Sequence, residues 1–245
     1  MSSTFELNND LEIKVARVCG RSLVVVDNFY KNPDEVRQLV IDNRDNPIAV
    51  GDPGHLPGTR LFLDTVRVRD KLYKIYQTLC SDKDLWVSGR RYNEDKFTSE
   101  FRNLRFSVNI INDRSLSMMN DIHRNTNMYG LIPHQDSYSL LGEPYINPQI
   151  QFGSVIYLNT PEECRGGTNV YTFRGEISVP QIPSNISTPD SVSDFLENNP
   201  EWKVAHTFEM VYNRMVLYQA DILHGPVYEK GMFTDHSRMN QILFM

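Results

Sequence analysis

Two histidines, an aspartate and an arginine are the residues of this chain whose types and spacing could do chemistry. His134 and Asp136 stand two positions apart in LIPHQDSYSLLG, just after a run that reads as a strand. A strand turns residues i and i+2 to the same face, so this spacing brings an imidazole and a carboxylate to one point. His224, in QADILHGPVYEKG, follows another strand-like run and directly precedes a Gly-Pro turn. Two imidazoles and one carboxylate form the facial set that binds Fe(II) and leaves coordination positions open for substrates. Arg238 heads the last strand-like run, HSRMNQILF, where a guanidinium can hold a dicarboxylate through paired hydrogen bonds. Each residue also has a plain alternative. Either histidine can be a hydrogen-bonded core residue, Asp136 a turn aspartate, and Arg238 a strand arginine in a weak surface ion pair.

The elements that must position these residues show a change of period along the chain. In SLVVVDNFYKNPDEVRQLVIDNR, a strand over 22–26 is followed by Asn32 as N-cap and Pro33 at the first helical position. Asp34 and Glu35 fill the first turn of this helix, and Val36, Leu39 and Val40 mark its buried face. DKLYKIYQTLC predicts a second helix through Leu72, Ile75, Tyr76 and Leu79, with the turn-rich GDPGHLPGTR between the two. From about residue 102 the period becomes two. In RFSVNIIND, Phe106, Val108 and Ile110 face one way and Arg105, Ser107 and Asn109 the other. SVIYLN, TNVYTF, RMVLYQA and RMNQILF read as further short strands separated by turn signals such as RGG, as expected of an antiparallel sandwich or barrel. The interval 175–206, rich in Pro, Ser and Asn, reads as a long excursion with a short helix around 189–198.

Composition bounds the partners. A chain of 245 residues, 40% hydrophobic, can bury one large core and is expected to form a single domain. Lys and Arg total 25 against 31 Asp and Glu, a formal charge of -6, which argues against nucleic acid and against an anionic membrane surface. MSSTFELNNDLEIK lacks the charged and apolar regions of a signal peptide, and no run approaches the ~18 apolar residues needed to span a bilayer. A cytoplasmic protein is the expectation. Cys19, Cys80 and Cys164 are scattered, with no C-x-x-C, and offer neither a disulfide framework nor a thiolate metal site.

Taken in order, PHQD, FGSVIYLN, CRGGTNVY, LHGPV and SRMNQILF resemble the Fe(II)/2-oxoglutarate-dependent dioxygenases, in particular their prolyl 4-hydroxylase-like branch. The resemblance covers roughly residues 105–245. It implies a mainly β fold with flanking helices: a double-stranded β-helix (jelly-roll or cupin-like) core over 102–245, interrupted by the insertion at about 175–206. Residues 1–101 would supply helical and strand support packed on its outside. It implies Fe(II) held by His134, Asp136 and His224. It also implies that Arg238 pairs with the distal carboxylate of the co-substrate 2-oxoglutarate while Tyr157, of Y-L-N, donates a hydrogen bond to it. The implied reaction consumes O2 and hydroxylates an unactivated C–H bond, releasing succinate and CO2. The carboxylate Asp136 argues against halogenation, which needs that position for chloride.

The substrate is not specified. The polar face Arg105, Ser107, Asn109 and the 175–206 excursion suit a small polar molecule such as an amino acid, and a peptidyl residue stays open. The excursion is expected to act as a flap over the barrel mouth. His236 shares the parity of Arg238 and is a candidate pocket residue, whereas His55, His123 and His206 have no partner pattern. Two other readings use the same ligands: a cupin-like metal-binding or sensing protein without turnover, and a zinc hydrolase, for which no general base stands out.

Overall fold

The computed structural model describes residues 4–43, 59–63, 106–111, 133–136, 152–178, 192–227 and 231–244. Along them run β1 (Glu12–Val18), β2 (Arg21–Asp27), α1 (Pro33–Asn43), β3 (Thr59–Leu63), β4 (Phe106–Ile111), β5 (Phe152–Tyr157) and β6 (Gly167–Phe173). Then follow α2 (Val192–Asn198), β7 (Trp202–Glu209), β8 (Met215–Gln219), β9 (His224–Val227) and β10 (Arg238–Phe244). Seven strands make one antiparallel sheet in the order β1-β2-β8-β5-β10-β4-β3, and three make a second in the order β7-β6-β9. From β5 onward the chain passes from the larger sheet to the smaller, stays for two strands, and then alternates between them. That winding is the double-stranded β-helix expected from the sequence.

The space between the sheets is filled from both sides: Val155, Tyr157, Val216 and Tyr218 from the larger, Val170 and Phe208 from the smaller. The alternate residues of the same strands, Ile156, Met215 and Leu217, are buried as well, as is Leu158 just after β5. β5 and β8 therefore lack the in-out contrast of a half-solvated strand. Part of the outer cover is the segment leading into α1. Phe29 and Tyr30 are fully buried, and the Tyr30 hydroxyl donates to Gln241 Oε1 at 2.6 Å. At 11 residues α1 is below the roughly 12–15 that a helix needs to persist alone in water, so it relies on the burial of Val36 and Val40. Arg37 anchors it further by pairing with Glu163 at 2.9 Å.

Several elements differ from the sequence reading. The strand expected at 22–26 is β2, but an unpredicted strand precedes it: β1 and β2 form a hairpin that joins the larger sheet through β8. Its turn, Cys19 (φ 48°) and Gly20 (φ 77°), has the two positive φ values that match the twist of a tight hairpin. β1 gave no signal because it is exposed on both faces along most of its length. β3 begins inside the segment read as a turn-rich loop. β7 was also missed, being buried only at Trp202 and Phe208, with a register irregularity where it faces Val170 and Tyr171. The end of the excursion, 202–206, is thus part of the smaller sheet. α2 docks through Val192 and Phe195 onto Trp202, Tyr171 and Leu223, on the opposite face of β6 from the inter-sheet core. Within the excursion, α2 and Trp202 are therefore packed against the outside of the barrel and Ile177 joins the inter-sheet core, while 179–191, like the expected helix over 70–80, lies outside the described residues. No helix among the described residues is long and apolar enough to cross a membrane.

Candidate metal centre

His134 and His224, 90 positions apart, face each other across an antiparallel bridge in which each backbone N–H donates to the other's carbonyl at 2.9 Å. Side chains at such a pair lie on the same side, and the two rings come to 4.5 Å between centroids. Asp136 does not share a continuous strand with His134, as the spacing suggested. The chain leaves the bridge and turns, and the carboxylate folds back to 3.8 Å from His134 Nε2 and 3.4 Å from His224 Nε2. One ligand atom from each of the three residues lies within 4.8 Å of the others. Gln135, between the first two ligands, ties this turn to the β8–β9 connection by donating to the Asp221 carbonyl.

The protonation state of His224 suits a ligand. Its Nδ1 is 2.9 Å from the Ile222 carbonyl, and since a carbonyl only accepts, Nδ1 carries the hydrogen. Burial brings the imidazolium down to about 4, so near neutral pH the ring is uncharged, with its Nε2 lone pair facing Asp136. Two neutral-capable imidazoles and a carboxylate on one point fit Fe(II) by donor type and number.

Gly153 is the floor of this group. It pairs across the sheet with Tyr218, and a Cβ built on it would overlap Asp136 Oδ2 and come within 2.6 Å of the Tyr218 ring. Gly153→Ala is predicted to push the carboxylate aside and weaken divalent-metal binding by roughly 10- to 100-fold, the range seen when ligand-orienting residues are lost. Titration of the apoprotein with Co(II), with circular dichroism to verify the sheets, measures it. Unchanged affinity would mean that Asp136 does not need its present position.

Arg238 is 3% exposed. One terminal nitrogen donates to the Gly167 carbonyl at 3.0 Å, the Tyr157 ring lies 5.9 Å from the guanidinium carbon, and Nε has no hydrogen-bond partner among the described residues. Burial pushes its pKa below the usual arginine value, opposed weakly by Tyr157 and Tyr218. A buried guanidinium without a carboxylate is costly and is compensated by an anion in contact with it. The Gly-Gly turn makes the approach possible. Gly166 (φ +68°) and Gly167 (φ +148°) have backbone angles that favour glycine, and a Cβ on Gly167 would overlap the Phe208 carbonyl.

The Tyr157 hydroxyl is 2.6 Å from Thr168 Oγ1, so its ring stands beside Arg238 and its oxygen is already held. His236 is not brought to the group. Its ring nitrogens meet the Glu163 carbonyl at 2.9 Å and Asp235 at 2.8 Å, because β10 begins only at Arg238 and parity does not extend back through the loop. His206 packs on Phe208, and His55 and His123 lie outside the described residues. Sequence reasoning missed Gly153 and Tyr218. The period-two pattern of RMVLYQA places Tyr218 on the same face as Val216, but nothing local says that this face meets a histidine.

No protein family's sequence profile matches the chain, and no curated protein sequence is significantly similar to it. Among solved structures it is similar to a Trichoplax adhaerens prolyl hydroxylase in complex with a hypoxia inducible factor oxygen degradation domain peptide. The identity is 14% and the TM-score 0.44, over 91% of this chain and 82% of that one. An N-substituted L-amino acid dioxygenase from Burkholderia ambifaria is similar at 14% identity and TM-score 0.36, over 91% and 81%. An epimerase in complex with Fe3+, alpha ketoglutarate and nogalamycin RO is similar at 11% identity and TM-score 0.40, over 91% and 77%. All three are distant.

Proposed function

We propose that this protein is an Fe(II)- and 2-oxoglutarate-dependent oxygenase that hydroxylates an unactivated C–H bond of a small polar molecule such as an amino acid. The observation that carries this is the buried guanidinium of Arg238, which has no carboxylate partner among the described residues, in the same inter-sheet space as the His134–Asp136–His224 group. The triad alone suits a metal-binding protein or a hydrolase. A buried cationic socket in addition calls for an anionic co-substrate.

His134, Asp136 and His224 would hold Fe(II), which together with 2-oxoglutarate supplies oxygen activation coupled to decarboxylation to succinate and CO2. The chain's own work is to bind, orient and exclude water. Arg238 offers its free Nε edge to the distal carboxylate of the co-substrate, and Tyr157, with Thr168 behind its hydroxyl, orients a donor beside it. Val155, Val170, Ile222 and Val216 wall the space with apolar groups, which strengthens each charge interaction within it. His224, held by the Ile222 carbonyl, keeps its ring orientation without a charge.

The whole chain is best taken as one domain. Residues 1–101 act as support and 102–245 as the core, because β2 bonds to β8 and β3 to β4, so the N-terminal part completes the same sheet. The choice of a small polar substrate is supported by the net charge of -6, which disfavours a polyanion. The side chains of Arg105, Ser107 and Asn109 lie outside what the structure describes.

The experiment is anaerobic addition of 2-oxoglutarate to the Fe(II) protein, followed by a screen for succinate release across free amino acids and peptides. A weak visible charge-transfer band and substrate-dependent succinate are expected. Absence of both would reject the oxygenase and leave a metal-binding protein. Succinate release with peptides alone would replace the substrate class.

A further inference from the structure

We propose that Arg21, in the N-terminal hairpin, is a positioning residue of the metal centre: it fixes the turn 219–223, which holds both ligand-bearing segments. The first observation is what that turn does. The Asp221 carbonyl accepts a hydrogen bond from Gln135, the residue between His134 and Asp136, and the next carbonyl, that of Ile222, accepts from His224 Nδ1–H at 2.9 Å. Two successive carbonyls of one turn therefore aim the His134–Asp136 segment on one side and the His224 ring on the other. Contacts of this kind, one step out from the ligands, set how well a centre takes its ion.

The second observation is how the turn is held. Arg21 begins β2, and its two terminal nitrogens donate to Gln219 Oε1, at the end of β8, and to Asp221 Oδ2 at 3.1 Å. The backbone ladder between β2 and β8 runs from Val26–Met215 to Val24–Leu217, so the guanidinium carries the link beyond the ladder's end. The same Asp221 oxygen accepts from Ser178 Oγ at 3.3 Å, and that hydroxyl lies 3.4 Å from Gln135 Nε2. Beside it, the Ile177 carbonyl accepts from Leu223 N–H at 2.9 Å. Asp221 is thus the point where the hairpin, the 177–178 segment and the His134–Asp136 segment meet.

The third observation is burial. The Arg21 and Asp221 side chains are 12% and 27% exposed, so water screens the pair only in part, and Gln135, at 1%, has little solvent to turn to. Without the guanidinium, Asp221 is a partly buried charge with no counter-charge among the described residues, and its carboxylate is drawn toward water. The Asp221 and Ile222 carbonyls shift with it, and the centre loses alignment without losing a ligand. Arg21 lies outside the 105–245 stretch whose motifs resemble a known family, so those motifs do not point to it. The inference rests on reading His134, Asp136 and His224 as a metal centre and not on the oxygenase chemistry.

The test is Co(II) titration of the full chain and its variants, with thermal melts of the apoproteins alongside. Arg21→Met, which keeps an apolar stem, should bind Co(II) about tenfold more weakly than the wild type. Arg214→Met is the control. It breaks the similarly buried pair with Asp27 at the other end of β8, so it should lower the melting temperature and leave Co(II) affinity unchanged. Asp221→Asn keeps the size and an acceptor for Ser178 and should show a loss like that of Arg21→Met. Combining the two should lose nothing more, because the residues act as a unit. Unchanged Co(II) affinity in Arg21→Met, or in Asp221→Asn should the first variant not fold, would overturn the proposal. So would equal losses in the Arg21→Met and Arg214→Met proteins, or losses at Arg21 and Asp221 that add. A wild-type protein that takes up no Co(II) rejects the metal centre itself, and this inference with it.

Discussion

Arg238→Leu is expected to raise the KM for 2-oxoglutarate by well over tenfold, while Tyr157→Phe raises it only severalfold. A charge-assisted pair contributes about 1.5 to 3 kcal/mol against about 1 for a neutral hydrogen bond, and about 1.4 kcal/mol corresponds to tenfold. The leucine variant also leaves the incoming carboxylate buried without a counter-charge, which adds to the loss. The tyrosine matters less because its hydroxyl keeps Thr168 as a partner whether or not an anion is present. The order of the two effects therefore tests the geometry as well as the assignment. The measurement is succinate release against 2-oxoglutarate concentration at saturating Fe(II) for each variant. An Arg238→Leu protein with unaltered KM would show that the co-substrate is anchored elsewhere.

Asp136→Ala is expected to abolish hydroxylation and to reduce Fe(II) binding to what two imidazoles support. The carboxylate is the triad's only charged donor, and its removal takes away both a bond to the cation and the charge that offsets it in a buried site. His134 and His224 should keep their places, because the backbone bridge between them does not pass through Asp136. The loss should therefore appear in metal titration and turnover, with the thermal melt of the apoprotein little changed. Full activity or full metal affinity in this variant would remove Asp136 from the centre.

Much of this protein was legible in the sequence where physics acts over a few residues. Period-two runs located β4, β5, β6, β8 and β10, and Asn32, Pro33 and the acidic first turn located α1. The candidate ligands His134, Asp136 and His224 and the buried Arg238 were identifiable by residue type, order and strand context. β1 and β7 were not legible, because both are largely exposed and their signal lies in pairing with β2 and β6, not in their own pattern. The excursion invited a flap because its composition is that of a loop. Within it, α2 and Trp202 bury their apolar groups on Tyr171 and Leu223, a contact that no local rule encodes.

By itself, then, the sequence determined which atoms are available: two imidazoles, a carboxylate, a guanidinium and the strands that bear them. The tertiary structure decided their arrangement. It set His134 opposite His224 by a single backbone bridge, placed Gly153 where only a missing side chain lets Asp136 fit, and brought the Tyr218 hydroxyl to His224 Nε2. The reason is that periodicity reports only which way a side chain points from its own element. What it meets depends on strand register and on the turns that return the chain, contacts made between residues far apart in sequence.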